Sequence, residues 1–556
     1  MPNTVTTLAL GRPHFANTTL AATALQSGAA AAWRLIAESD PVAGLAQVSG
    51  DFAVGVHSNA GRTFLAVDRF AIRSLCYRVV GAQLHFASRA DALAGPNAEI
   101  DPQAILDYLF FHTIPSPRTV FKDVFRLPPA HYALFDNGNL TVAPYWIPRF
   151  EEVRNPNFDD LKAEFLEVLR SAVATQLDDG KVACFLSGGT DSSTVAGMMA
   201  AVGKQPPSSY SIGFDAAGYD EMSYARIAAK RFHTDHHEYY VTPDDLVKSI
   251  CMVASHYDQP FGNSSALPAY YCALMAKNDG VSKILAGDGG DELFGGNTRY
   301  AMQRIFGWYA IVPEAVRTRM MEPFFGASII KKTPFLKKGS GYIEQALVPM
   351  PDRIHMYNLM YRLGMGNILT PAFLSLVDTN APVAQLGLAW ELPQAGNALN
   401  RNLAFDWRYT LAENDLPKVC GTTQLAGLEV GFPFLDQRLL DFSLKLPASY
   451  KLKGFKLRWF FKEALRGFLP DEIITKKKHG FGLPFGVWAT RHPALRSLAM
   501  ESLNQLADRG VIRRDFIDEL LVHHLPTHPG YYGEMVWILM MLEQWLQAHA
   551  PAYRIA

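Results

Sequence analysis

The sequence predicts an α/β protein in which a parallel-sheet domain with a helical C-terminal part follows a smaller, β-rich domain. Three observations carry this. The apolar run Val182-Ala183-Cys184-Phe185-Leu186 leads straight into Ser187-Gly188-Gly189-Thr190-Asp191-Ser192-Ser193, and the stretch 194–201 behind it is small, apolar and free of proline. From there to Ala286, apolar runs alternate with helical patterns, which implies parallel strands covered on both faces. Before about Leu93 the pattern differs, with short alternating runs broken by turn residues.

In chain order, residues up to about Leu93 read as strands. Residues 51–56 alternate, and 63–67 follow a turn at Ala60-Gly61. Residues 75–80 and 83–87 flank Gly81 as a hairpin. A helix is expected over 101–111. Leu127-Pro128-Pro129-Ala130-His131 is a rigid turn before a second hairpin, with Asn137-Gly138 at its tip. The proline- and charge-rich stretch 144–159 separates a domain 1–145 from a domain 161–556, with 146–160 as linker. A helix then covers 161–176, and further strands are expected at 209–214, 238–241 and 282–286. Helices at 223–232 and 246–257 lie between them. Residues 300–400 are helical without a usable motif, and the chain from Asp406 on reads as mostly helical.

At 556 residues the chain suits roughly two to four domains. Lys+Arg 52 against Asp+Glu 53 leaves no charge excess to favour nucleic acid or a membrane surface as partner. Five scattered cysteines, with no CxxC pair, argue for a reducing compartment and against structural zinc. The alanine run 29–32 is too short to span a bilayer and Arg34 closes it, so a soluble cytoplasmic protein is expected.

Strand, glycine turn and helix together present backbone N–H groups to a phosphate. Ser187, Ser192 and Ser193 add hydroxyl donors, and Asp191 suits a magnesium ion that bridges phosphate oxygens. An ordinary strand-to-helix turn is the competing reading of this loop taken alone. No lysine follows the glycines, so it is not the Gly-Lys-Ser/Thr nucleotide loop. It looks like the pyrophosphate loop of ATP pyrophosphatases. The fourth strand ends in Gly287-Asp288-Gly289-Gly290-Asp291-Glu292-Leu293-Phe294-Gly295-Gly296. If both strands share a sheet, Asp191 and Asp291 can face a common magnesium ion.

With these loops, the sequence resembles the asparagine synthetase family. Ser211-Ile212-Gly213-Phe214, Tyr219-Asp220-Glu221, Asp235-His236-His237-Glu238, Leu428-Glu429-Val430-Gly431-Phe432-Pro433-Phe434-Leu435-Asp436, and Lys478-His479-Gly480-Phe481-Gly482 with Leu483-Pro484 carry the resemblance further, over roughly residues 50–545. It implies an ATP-pyrophosphatase (adenine nucleotide α-hydrolase-like) domain behind a glutamine-hydrolysing domain of the N-terminal-nucleophile type. It implies ATP and Mg2+, with the base and ribose near Leu186, Ile212, Ala286 and Gly287. Pyrophosphate falls on Ser187, Gly188, Gly189, Asp191 and Ser192, and the metal on Asp191 and Asp291. Asp288 falls where the family has an acid that holds or deprotonates the attacking amine.

The chain departs from the family in several places. Glutamine-hydrolysing members begin Met-Cys-Gly, whereas this chain begins Met1-Pro2-Asn3-Thr4, and the interval between Gly11-Arg12-Pro13 and Val48-Ser49-Gly50-Asp51 is too short for the family's Asn-Gly-Glu segment. A shortened domain without glutaminase activity is expected. In Lys456-Leu457-Arg458-Trp459-Phe460-Phe461-Lys462-Glu463-Ala464-Leu465, Arg458 takes the place of the family's catalytic lysine, with Lys456 as the other candidate cation. Lys418-Val419-Cys420-Gly421 and Glu429-Val430-Gly431 lack the family's charged residues, which puts aspartate binding in doubt. Lys476-Lys477-Lys478 reads equally as a solvated run.

The leading expectation is an ATP-dependent amide synthetase without a glutaminase, resembling lasso-peptide macrolactam cyclases and β-lactam synthetases. Its partners are then a carboxylate-bearing substrate, or a precursor peptide and its peptidase, with a homodimer among the open assemblies. The alternatives are a synthetase fed with free ammonia, an amidating enzyme of a surface-glycan pathway, and a non-catalytic binding module.

Overall fold

Antiparallel pairing organises the first part of the chain. The computed structural model describes residues 6–58, 61–96, 98–326, 337–356, 358–477 and 482–555. Strands β1 (Thr7–Phe15), β2 (Val48–His57), β3 (Thr63–Val67), β4 (Cys76–Val80), β5 (Gln83–Ala87), β6 (Phe125–Arg126), β7 (His131–Asp136) and β8 (Asn139–Pro144) form two sheets, ordered β1-β2-β3-β7-β8 and β5-β4-β6. Ala53, Leu65, Val67 and Phe135 of the first pack against Leu75, Tyr77 and Leu84 around the second. At the β7–β8 tip, Asn137 and Gly138 take φ of 49° and 81°, the left-handed pair that a two-residue hairpin turn requires.

Residues 18–45 depart from the strand reading. They form helices Thr18–Ser27, Ala29–Glu38 and Pro41–Leu45. The Asn17 side chain accepts from Thr19 N and Leu20 N, and Asp40 accepts from Val42 N and Ala43 N, so both are N-caps. Trp33, Ile36 and Ala37 then bury one helical face against Phe52, Val54 and Phe64. Asp101 caps the helix Pro102–Phe111 in the same way.

The stretch that leads out of β8 lies along the rest of the chain. Phe150 N donates to Gln394 O at 3.0 Å, Glu151 N to Leu444 O at 3.1 Å and Val153 N to Lys445 O at 2.9 Å. Phe70, Ile105 and Tyr108 share one buried cluster with Phe165, Cys184 and Trp545, so the two parts pack as one core.

Five parallel strands follow: β9 (Val182–Phe185), β10 (Ser208–Phe214), β11 (Asp235–Val241), β12 (Lys283–Leu285) and β13 (Glu429–Gly431), ordered β11-β10-β9-β12-β13. Helices Phe158–Ala174, Thr190–Val202, Met222–Phe232, Pro243–His256 and Ala266–Asn278 alternate with them. The fifth strand is three residues long, too short for any period to show. Because β9 and β12 are neighbours, the segments that leave their carboxyl ends, 186–192 and 286–296, emerge side by side. Among the described residues, no helix is long and apolar enough to cross a membrane.

Candidate active site

The site is built where those two segments touch. The helix after β9 starts at Thr190, four residues earlier than the apolar stretch suggests, so Asp191 lies in its first turn, at the positive end of the helix dipole. Ser187 N donates to Ser192 Oγ at 3.1 Å, and the two serine hydroxyls are 3.0 Å apart. Gly188 has φ 68°, and a Cβ there would lie 2.4 Å from Ala225 N. The second segment is glycine-rich for a related reason. A Cβ on Gly287 would lie 2.8 Å from Ser192 N and 3.0 Å from Asp191 C, so glycine there lets the two loops close on each other.

Arg458 enters from the hairpin β14 (Leu452–Lys453) and β15 (Lys456–Leu457). Its φ of 55° is left-handed and turns the chain from β15 into the helix Trp459–Ala464. The side chain is 6% exposed and donates to Asp191 Oδ1 and Oδ2 at 2.6 and 2.7 Å. It also bonds Asp291 Oδ1 and Thr190 Oγ1, and lies over the Phe461 ring. Burial opposes the guanidinium charge, but Asp191 and Asp291 outweigh it and hold the pKa above its usual value. Lys456, the other candidate cation, is exposed on β15.

Asp288 faces a different cation from Asp291. Lys418 Nζ stands 3.7 Å from Asp288 Oδ1 and 2.9 Å from Asp415 Oδ1. Burial raises the Asp288 pKa, Lys418 pulls it down, and Asp415 adds to the rise. Lys418 is held above the usual lysine value, because Asp415 and Asp288 outweigh its burial.

These groups open on one cavity of about 1200 Å³. Leu186, Ser187, Gly189, Asp191, Ser192, Ile212 and Gly287 line it, as do Asp288, Asp291, Lys456 and Arg458. Two expected binding residues stand behind the wall. Gly188 faces the helix Met222–Phe232, and Ala286 is buried with its N–H on Gly431 O at 2.9 Å. Several lining residues come from outside the two loops: Asp415, Lys462, Glu221 and Lys476. Lys462 follows Arg458 by one helical turn, and its ammonium is pushed below its usual value by burial and by Arg458. Residues 478–481, which carry part of the C-terminal motif, and the opening residues Met1-Pro2-Asn3-Thr4 lie outside the described residues.

No group of three metal-ligating side chains occurs among the described residues. Asp191 and Asp291 nevertheless converge on one cation, the guanidinium of Arg458. Two carboxylates that share a cation form the partial oxygen set that Mg2+ completes with phosphate oxygens and water.

The family model for asparagine synthase matches residues 164–547, and a glutamine amidotransferase domain model matches 34–146. The chain is 24% identical over 494 residues to asparagine synthetase (glutamine-hydrolyzing) 1 of Bacillus subtilis, covering 86% of this chain and 74% of that one. It is 26% identical over 460 residues to a putative asparagine synthetase (glutamine-hydrolyzing) of Mycobacterium tuberculosis, covering 80% and 68%. It is 24% identical over 490 residues to the amidase chyE of Penicillium rubens, covering 80% and 71%.

Proposed function

This chain belongs to the asparagine synthase family of carbon–nitrogen ligases, and from that premise we propose that it adenylates a carboxylate with ATP and passes the acyl group to an amine without hydrolysing glutamine. The observation that carries the reading is the meeting of Asp191, Arg458 and Asp291 at the carboxyl ends of neighbouring strands, in one large cavity. Ser187, Ser192 and the Gly189 N–H bind the phosphates. Asp191 and Asp291 would hold Mg2+, which would neutralise phosphate charge. Arg458 steadies charge as it builds on the α-phosphate and on the former carboxylate oxygen. Asp288 takes the amine's proton. Since burial raises its pKa, it ionises at higher pH than an ordinary carboxyl, so the amide step gains rate as pH rises through that range.

The size of the cavity supports a large substrate. Sites for small ligands usually measure about 300–1,000 Å³. A cavity of about 1200 Å³ leaves room for ATP and a large carboxylate donor. We therefore favour a lasso-peptide-type macrolactam cyclase, with a precursor peptide and its peptidase as partners. All five cysteines are free, which suits the cytoplasm. An asparagine synthetase-like enzyme fed with free ammonia, or a glycan-amidating relative, is the second reading, and the names of the relatives favour it. The test is to supply ATP, Mg2+ and a precursor peptide encoded beside this gene. The cyclase reading expects AMP, pyrophosphate and a peptide one water lighter, with Asp288→Asn stopping at the adenylate. Product from aspartate and ammonia, with none from the peptide, would favour the second reading.

The proposed lack of glutamine hydrolysis is supported by the thiol in the matched region. Cys76 is the one cysteine between residues 34 and 146, and it is fully buried. Burial, with nearby Asp258, pushes its pKa far above the range of a nucleophilic thiol. Glutamine should therefore release no glutamate above a buffer blank, and measured release would overturn this part of the account.

A further inference from the structure

We infer that Lys476 is the cation that holds the pyrophosphate group at the Gly188 end of the phosphate loop; this rests on the adenylation reading above. Three of the other cations that line the cavity are held by two acids each. Arg458 serves Asp191 and Asp291, Lys418 serves Asp288 and Asp415, and Arg466 is held outside by Glu463 and Asp471. Lys476 has a different setting. It follows the helix Asp471–Thr475 and its side chain is only 8% exposed, although it opens a run of three lysines.

Three contacts aim it. Its Nζ is 2.9 Å from Glu221 Oε1, 3.5 Å from Gly188 O and 4.4 Å from the centre of the Tyr224 ring. The ring and the backbone carbonyl fix the ammonium against the loop, and of its three donors the one turned to Glu221 is the one a ligand oxygen would take over. Arg458 grips the other end of the same loop at Thr190 and Asp191. A polyphosphate laid along 187–192 would meet Asp191, Asp291 and Glu221, all of its own sign. Without a cation at the Gly188 end, that end of the site would repel its ligand. Glu221 orients Lys476 but also competes for it.

Magnesium pyrophosphate and AMP, each titrated by calorimetry into the full-length chain and its variants, test this. Lys476→Ala should weaken pyrophosphate binding about tenfold to a hundredfold, the usual worth of a charge-assisted hydrogen bond, and leave AMP affinity unchanged. Lys476→Arg should restore most of the affinity. Glu221→Gln should tighten pyrophosphate binding, because it frees the ammonium from its competitor, and it keeps the test alive if Lys476→Ala fails to fold. Equal loss of AMP and pyrophosphate affinity in Lys476→Ala, or no loss of either, would overturn the assignment. Wild-type protein that binds neither ligand would instead overturn the adenylation reading on which the assignment rests.

Discussion

Asp191→Asn and Asp291→Asn are each expected to abolish pyrophosphate release while the chain still folds. Each substitution removes one negative charge from a site where oxygen charge sets the affinity for a hard cation. The structure adds a second effect. Both acids are bonded to the guanidinium of a buried arginine, so either change weakens the compensation of a buried charge. Asparagine keeps one acceptor oxygen and nearly the same volume, and the remaining aspartate still pairs with Arg458. A modest drop in Tm without loss of the cooperative transition is therefore expected, beside a complete loss of turnover. A pyrophosphate-release assay and a thermal melt read the two separately. Wild-type rates from either variant would remove the metal from the account.

Arg458→Ala carries the next largest effect. Loss of one preorganised donor to a developing oxyanion typically costs about 2.7–4 kcal/mol of barrier, so the rate should fall by roughly two to three orders of magnitude. Removal of the guanidinium also leaves Asp191 and Asp291 facing each other without a cation, which costs about 3–5 kcal/mol of stability when a buried pair is broken. Arg458→Lys should restore charge but not the two-pronged contact with Asp191, and so should recover only part of both losses. Lys456→Ala, at an exposed position on β15, should behave like wild type. An inactive Lys456→Ala beside a normal Arg458→Ala, in steady-state rates, would reverse the two roles.

The two phosphate-side loops were legible because their chemistry is local. Glycines, serines and acids crowd 187–193 and 287–296, and each cluster follows an apolar run that can only be a buried strand. What joins them was not local. Arg458 reaches Asp191 across 267 residues of chain, and its left-handed backbone leaves no mark in the side-chain pattern. Resemblance pointed to Arg458, but Lys456 stood two residues away with the same charge, and only the turn after β15 separates them. The helices at 18–45 were missed for a different reason. Their caps are single polar residues, Asn17 and Asp40, and the surrounding alternating strands dominate the pattern of the whole region. Lys476 was obscured by its neighbours, since three lysines in a row suggest solvent until Tyr224 and Glu221 are seen beside the first.

The central claim is that this chain activates a carboxylate by cleaving ATP between its α and β phosphates. ATP–pyrophosphate exchange, run with labelled pyrophosphate, Mg2+ and the carboxylate substrate but no amine, tests it most directly. Label should enter ATP only when the carboxylate is present, AMP should be the nucleotide product once the amine is added, and Asp191→Asn should show neither. Formation of ADP and orthophosphate, or exchange that persists in Asp191→Asn, would contradict the account.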